Sequence, residues 1–217
     1  MPFLATIFNI FLHLDQYLAT VIEMFGHWTY ALLFLVVFLE TGLVVTPFLP
    51  GDSLLFAAGA FAALGSLRYW ALVGVLLMAA IAGDTVNYWI GHRVGPAVFT
   101  AKRRWLNEKH LQEAERFYAR HGGKTIIFAR FIPIIRTFAP FVAGIGKMKY
   151  QTFLIFNISG ALIWVFLFVS AGYFFGTIPA VQERFHYVIL GIIVVSLMPA
   201  LIRLIQNLWK RKQLTTP

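Results

Sequence analysis

The feature that most constrains this chain is an apolar run from Lys124 to Gly146, KTIIFARFIPIIRTFAPFVAGIG, which carries two arginines. An arginine that faces lipid at mid-bilayer costs at least about 2.5 to 3.5 kcal/mol. Arg130 and Arg136 are therefore expected to face an anionic partner or water rather than lipid. A charged pair in a run this apolar predicts a polar site inside a membrane protein.

The same run contains residues that interrupt a helix. Pro133 and Pro140 lack the amide donor and disturb a straight helix, while Gly144 and Gly146 allow the chain to turn back on itself. Irregular backbone at membrane depth is tolerated only where it is buried in protein or lines a polar cavity. We therefore predict that residues 124–146 form a broken, re-entrant hairpin that carries the two arginines.

The composition indicates an integral membrane protein. Of the 217 residues, 59% are hydrophobic and 12% are charged, compared with roughly 25% charged residues in soluble domains. The length allows about four to six membrane elements of ~20 residues each. The net charge of +9 lies mostly in short segments beside apolar spans, which follows the positive-inside rule and argues against nucleic acid as a partner. The absence of cysteine excludes disulfides and thiolate chemistry.

The sequence predicts a single all-α membrane domain, a helical bundle in five parts. The parts are an N-terminal helix that spans the membrane or lies in its interface (1–27), a first repeat (28–91), a basic cytoplasmic segment with an amphipathic helix (92–123), a second repeat (124–208) and a cytoplasmic tail (209–217). Apolar helices that can cross the membrane are predicted at 28–46, 70–90, 150–175 and 186–208. The N-terminal segment is expected to be retained, because it lacks a basic region and a cleavage site.

A second re-entrant hairpin is predicted between Thr46 and Gly65. Pro47 and Pro50 end the preceding helix, and the apolar stretch that follows is too short to cross a core about 30 Å thick. Because the basic segment and the tail both belong on the cytoplasmic side, the two hairpins enter from opposite faces. The hairpins also resemble each other weakly. Such a pair indicates an inverted repeat with a binding site where the breaks meet, and chance similarity is the alternative.

Two carboxylates are candidate partners for the arginines, namely Glu40 in an apolar helix and Asp52 in the first hairpin. The membrane interior opposes an ionised carboxylate, and a carboxylate that gains and loses a proton is what proton coupling requires. A structural ion pair that fixes the packing of the hairpins is the alternative. The donor fork of Arg130 and of Arg136 suits a phosphate group, with snorkelling to the lipid headgroups as the alternative.

Asp84 and Asn87 are accessory candidates, because a spacing of three places both on one face of a helix. A structural hydrogen bond between helices explains that pair equally well. Trp164 lies inside a predicted span and is interpreted as a packing residue. The histidines show no metal-ligand spacing, and no serine is paired with a base. The sequence therefore predicts no catalytic residue, metal, cofactor or enzymatic activity.

Four stretches resemble the DedA family of bacterial inner-membrane proteins. They are ETGLVVTPFLPGDSLLFAAGA from Glu40, GDTVNYWIG from Gly83, HGGKTIIFARFIPIIRTFAPFVAG from His121 and AGYFFGTIP from Ala171. The resemblance covers nearly the whole chain and implies a multi-pass protein with two opposed re-entrant hairpins that meet near mid-membrane. The family's essential acidic pair falls on Glu40 and Asp52, and its essential arginines fall on Arg130 and Arg136.

The resemblance also implies a role in recycling undecaprenyl phosphate, the lipid carrier of cell-wall precursors, with dependence on the proton-motive force and support of envelope integrity. In this hypothesis Arg130 and Arg136 bind the phosphate, while Glu40 and Asp52 exchange protons. The alternative is a proton-coupled antiporter of small cations or drugs, with the two carboxylates as the cation site. The expected partners are a membrane lipid and protons. The sequence leaves the exact lipid and the oligomeric state open, a homo-oligomer included.

Overall fold

The computed structural model describes residues 14–43, 51–100 and 122–192, with residues 194 and 198 beyond them, and this part of the chain is helical without strands. The helices are α1 (Leu14–Phe25), α2 (Thr29–Gly42), α3 (Gly51–Ala63), α4 (Tyr69–Thr100), α5 (Lys124–Ala129), α6 (Pro133–Ile145), α7 (Tyr150–Phe175) and α8 (Pro179–Gln182), followed by helical residues 185–192. The all-α prediction is confirmed for these residues. The start of the first predicted hairpin (46–50), the predicted amphipathic helix, the tail and most of the predicted crossing at 186–208 lie outside them.

Within the described residues, three helical segments are long and apolar enough to cross a membrane, namely Gln16–Gly42, Tyr69–Val94 and Tyr150–Phe175. The first differs from the prediction of a crossing at 28–46. The helix α2 has only 14 residues and ends at Gly42, and the required length is reached only together with α1 and the 3-10 turn Gly26–Trp28 that joins them. A crossing needs about 20 residues, so α1 contributes to this segment rather than standing apart from it.

The helices α3 and α6 are apolar but short. Each has 13 residues, which corresponds to about 20 Å at 1.5 Å per residue. Neither helix alone can cross a hydrocarbon core about 30 Å thick. The described residues therefore include long helices of spanning length and two short apolar helices that are not long enough to span.

The predicted interruption at residues 124–146 is present, and one of its two prolines causes it. The helix α5 ends at Ala129, Ile132 adopts an extended conformation, and Pro133 opens α6, the position at which a missing amide costs least. The second proline, Pro140, lies inside α6 and does not end it. Proline removes one hydrogen bond of the helix there, and the packing around α6 maintains the helix.

The chain turns directly after α6, at Gly146, and Lys147 adopts the left-handed conformation in this turn, with a φ of +49°. The amide of Met148 donates to the carbonyl of Ala143 at 3.0 Å, which closes the helix end in the manner of a Schellman motif. Gly144 instead allows a close approach of α6 to α4, because a Cβ at this position would overlap the carbonyl oxygen of Tyr88.

Each short helix packs most extensively on the long helix from the other half of the chain. The helix α3 packs on α7, and α6 packs on α4. The α3–α7 contact depends on two glycines that face each other's helix backbones. A Cβ on Gly59 would overlap the carbonyl oxygen of Val169, and a Cβ on Gly172 would overlap that of Phe56. The two helices are therefore closer together than any residue larger than glycine permits.

The α4–α6 contact also depends on glycines that face a helix backbone, and a side-chain hydrogen bond stabilises it further. Gly91 of α4 lies against the backbone of Phe141 in α6, opposite the Gly144 contact described above. The side-chain amide of Asn87 donates to the carbonyl of Thr41 at 3.1 Å and to that of Thr137 at 2.7 Å. Asn87 thus joins α2, α4 and α6 at one point.

We predict that Gly172→Ala destabilises the protein, whereas Gly74→Ala, in α4, does not. Alanine normally stabilises a helix by about 0.5–1 kcal/mol relative to glycine. A Cβ on Gly74 meets no atom within 4 Å, so this variant keeps that gain. At Gly172 the methyl group must displace α3, and overpacking of this kind costs about 1–3 kcal/mol. Thermal unfolding of both purified variants in detergent measures the difference. Equal melting temperatures would contradict the close α3–α7 contact.

Candidate functional site

Five charged side chains meet inside the bundle, where four helices and the break before Pro133 converge. They are Glu40 of α2, Asp52 of α3, Asp84 of α4, Arg130 at the break and Arg136 of α6. None is more than 6% exposed. We refer to these five residues as the charge cluster. The four residues predicted to form the site are thus brought together, and one accessory candidate joins them.

Arg136 connects the two halves of the chain through a forked contact. Its Nη1 donates to Oδ1 of Asp52 at 2.8 Å, and its Nη2 donates to Oε1 of Glu40. The guanidinium therefore uses both terminal nitrogens on two different carboxylates. Because all three side chains are buried, removal of Arg136 would leave two carboxylates without this counter-charge, and breaking a buried ion pair in this way costs about 3–5 kcal/mol.

Glu40 lies at the N-terminus of α3. Its Oε1 accepts a hydrogen bond from the amide of Gly51 at 3.3 Å. A carboxylate at this position satisfies one free amide and interacts favourably with the helix dipole. Gly51 cannot be replaced without moving this carboxylate, because a Cβ would overlap it. The start of α3 is thus shaped around the Glu40 side chain.

Arg130 has a separate set of partners. Its Nη2 donates to Oδ2 of Asp84 and, at 2.5 Å, to Oδ1 of Asn157 in α7. The Asn157 amide donates in turn to the carbonyl of Ile81 at 3.1 Å. The break at the end of α5 therefore orients Arg130 towards α4 and α7, whereas Arg136 faces α2 and α3.

Trp164 of α7 lies near both arginines and is completely buried. Its indole Nε1 donates to Oδ1 of Asp52 at 2.8 Å. The Cζ atoms of Arg136 and Arg130 lie 4.9 and 5.8 Å from its ring, both within the ~6 Å of a cation–π contact. The interpretation of Trp164 as a packing residue was therefore incomplete, since its polar atom and both ring contacts belong to the charge cluster.

The charges in the cluster do not balance. Three carboxylates face two guanidiniums, so the cluster carries one negative charge when all five groups are ionised. Several of its polar atoms also have no hydrogen-bond partner among the described residues. These atoms are Nε and Nη1 of Arg130, Nε of Arg136, Oε2 of Glu40 and Oδ1 of Asp84. Unpaired buried polar atoms each cost about 1–3 kcal/mol, so the site favours a proton or a polar ligand that pairs with them.

The two accessory candidates differ in their roles. Asp84 belongs to the charge cluster as the ion-pair partner of Arg130. The side-chain amide of Asn87 donates hydrogen bonds to two backbone carbonyls. Among the described residues it forms no hydrogen bond with a charged side chain. Sequence reasoning missed Asn157, although a polar residue inside an apolar span was a usable signal. Where the chain is described, no group of three or more His, Asp or Glu side chains has an arrangement that would hold a metal ion.

Comparison with known proteins identifies the family. The model of the VTT domain matches residues 49–174, which include every member of the charge cluster except Glu40. Protein DedA of Escherichia coli strain K12 is 51% identical over 95% of this chain and 96% of its own length. An uncharacterised membrane protein of Mycobacterium leprae is 43% identical over 77% of this chain and 75% of its own.

A more distant relative carries the cellular location in its name. Inner membrane protein YqjA of Escherichia coli strain K12 is 32% identical over 84% of this chain and 85% of its own length. No solved structure matches the chain. The three segments of spanning length agree with a multi-pass protein. The chain belongs to the DedA family of VTT-domain proteins and is a multi-pass protein of the bacterial inner membrane.

Proposed function

We propose that this protein is a flippase that carries a polyprenyl phosphate, undecaprenyl phosphate in particular, across the inner membrane without a chemical step. The observation that carries the proposal is the buried pair of arginines with unpaired donors. Nε and Nη1 of Arg130 and Nε of Arg136 lack partners among the described residues. Guanidinium donors form strong hydrogen bonds with phosphate oxygens, so a phosphate headgroup would satisfy all three atoms.

The fold supports an inverted repeat of two re-entrant hairpins. In this proposal α3 belongs to one hairpin, and the broken pair α5 and α6 forms the other. Both α3 and α6 are too short to span, and each packs on the long helix of the opposite half through glycines. An internal two-fold relation would produce this exchange of partners. Transporters of that kind bind their substrates where interrupted helices meet near mid-membrane, which is the location we infer for the charge cluster.

The charge balance suggests how protons are coupled to the lipid. A phosphate monoester carries about −1.5 to −2 charges at pH 7, and the ionised cluster is already negative. The headgroup and the carboxylates therefore compete for the guanidiniums of Arg130 and Arg136. Protonation of Glu40 and Asp52 would release Arg136, and loss of these protons would displace the lipid. The protein would thus exchange protons for headgroups at one site.

The exposed side chains beside the arginines support a lateral path for the lipid tail. Phe128 is 69% exposed and Phe138 is 44% exposed. Each lies two residues from a buried arginine, Phe128 before Arg130 and Phe138 after Arg136. The same hairpin therefore presents apolar rings outwards and guanidiniums inwards. A polyprenyl chain could remain in the hydrocarbon beside these rings while its headgroup reaches the charge cluster.

The proposal predicts translocation of undecaprenyl phosphate in liposomes that contain the purified protein, with and without a pH gradient. Headgroup accessibility on each leaflet measures the rate. Arg130→Ala with Arg136→Ala should reduce this rate by about tenfold or more, equivalent to at least ~1.4 kcal/mol of lost stabilisation. The matched control replaces two exposed arginines, Arg68 and Arg184, by alanine and should leave the rate unchanged. Thermal unfolding confirms that each variant is folded.

Two outcomes would count against the flippase. One is a folded and correctly inserted protein that does not translocate the lipid. The other is an equal loss of translocation rate in the cluster variant and in the control variant. That result would mean that the loss comes from lower positive charge in general and not from the buried arginines. A rate that responds to the pH gradient supports proton exchange, whereas the same rate with and without a gradient leaves flipping intact and removes the proton coupling.

A separate prediction concerns the fork of Arg136. Its two terminal nitrogens contact carboxylates of different helices, and a lysine ammonium cannot reproduce this planar geometry. We expect Arg136→Lys to lose most of the translocation that Arg136→Ala loses, although it retains the positive charge. The liposome assay compares the two variants with wild type. Full activity of the lysine variant would show that the site requires only charge.

The alternative function, a proton-coupled antiporter of small cations or drugs, is favoured by one observation. The cluster carries excess negative charge, and Oε2 of Glu40 and Oδ1 of Asp84 lack partners among the described residues. In an antiporter, Glu40→Gln with Asp52→Asn would abolish binding of the transported cation, whereas the flippase depends on the arginines for headgroup binding. Gradient-driven cation flux that survives in the arginine variant would favour the antiporter.

A further inference from the structure

Trp164 makes three contacts with the charge cluster, and they involve members of both ion-pair sets. Its indole N–H donates to Asp52, and its ring lies near the guanidiniums of Arg136 and Arg130. Arg136 pairs with Glu40 and Asp52, whereas Arg130 pairs with Asp84. The indole is therefore the shared surface of the two sets.

A single face of α7 carries this surface. Asn157, Gly160 and Trp164 follow the spacing i, i+3 and i+7, which places them on one side of a helix. Asn157 accepts a hydrogen bond from Arg130. A Cβ on Gly160 would lie 3.1 Å from Cδ and 3.2 Å from Nε of the same arginine. On this face Asn157 provides a hydrogen-bond acceptor, Gly160 leaves space for the Arg130 side chain, and Trp164 provides the aromatic ring.

The indole contacts constrain the distance between the guanidiniums. Two cations repel each other in a medium of low dielectric constant, and attraction of both to one ring opposes that repulsion. The N–H bond to Asp52 prevents the indole from rotating away. Because Trp164 is fully buried and its ring also contacts Phe168, with 6.3 Å between ring centroids, its orientation is held by packing as well.

We propose that Trp164 is a positioning residue that holds Arg130 and Arg136 at the separation at which both bind one phosphate headgroup. This inference rests on the proposed flippase function. It assigns to α7 a role in headgroup affinity that extends beyond the five charged residues of the charge cluster. Because the indole itself carries no charge, Trp164 acts on the headgroup only by placing the guanidinium donors.

Replacement of Trp164 tests its role in headgroup affinity, which is measured as the mole fraction of undecaprenyl phosphate that gives half of the maximal translocation rate. Trp164→Leu removes the ring and the N–H, and we expect the half-saturating mole fraction of undecaprenyl phosphate to rise by about tenfold. Trp164→Phe retains an aromatic ring, and it should recover most of that affinity. The control is Trp70→Leu, at an exposed tryptophan outside the charge cluster, which should leave half-saturation unchanged. Vesicles of phosphatidylethanolamine and phosphatidylglycerol serve for all four proteins.

A spectroscopic measurement keeps the inference testable even if the leucine variant does not fold. In protein labelled with 5-fluorotryptophan, the fluorine resonance of Trp164 is assigned from its loss in Trp164→Phe. This resonance should shift saturably as undecaprenyl phosphate is added to the wild type, and it should not shift in Arg130→Ala with Arg136→Ala. The resonance of Trp70 serves as the internal control and should remain in place.

Different results would contradict the flippase function and the positioning role of Trp164. If wild type neither translocates nor binds the lipid, the flippase function is contradicted and the inference about Trp164 fails with it. If wild type translocates the lipid while the Trp164 resonance does not respond, the inference alone is overturned. Half-saturation that is unchanged in folded Trp164→Leu also overturns the inference and leaves the flippase function intact.

Discussion

Compensation of buried charge is the physical requirement that organises this structure. Two guanidiniums and three carboxylates are buried together, and an isolated charge in such surroundings would cost many kcal/mol. Arg136 meets this requirement with carboxylates from two helices of the first half, and Arg130 meets it with Asp84. The ion pairs therefore do more than stabilise single helices, because they require the two halves of the chain to meet at one place.

The helix packing brings these groups within reach of one another. The short helices α3 and α6 each lie close to a long helix of the opposite half, because glycines remove the side chains that would separate them. Close packing of backbones is the usual basis of helix association in membranes, where lipid and protein are equally apolar. The break before Pro133 then frees Arg130 from the helical direction of α6, so that the two arginines face different partners around Trp164.

The parts of this site that could be predicted from the sequence are those with a large local energy cost. Arg130 and Arg136 in an apolar run required burial and partners, and Pro133 required an interruption. The role of Trp164 could not be predicted, since a tryptophan inside a span usually only packs, and its hydrogen bond depends on a helix distant in sequence. Likewise, the spacing of Asp84 and Asn87 showed a common face but not which of the two would pair with an arginine. Glycine contacts depend on the neighbouring helix and have no local signal.

In the proposed mechanism the two buried guanidiniums contact the phosphate of the lipid. Solid-state NMR in bilayers can detect this contact, through dipolar dephasing between guanidinium 15N and the monoester 31P of undecaprenyl phosphate. We expect dephasing in wild type that disappears in Arg130→Lys with Arg136→Lys, because lysine removes the labelled group. Dephasing that is unchanged in this variant would assign the contact to surface arginines. Absence of dephasing in a wild type that translocates the lipid would show that the buried guanidiniums do not bind the phosphate.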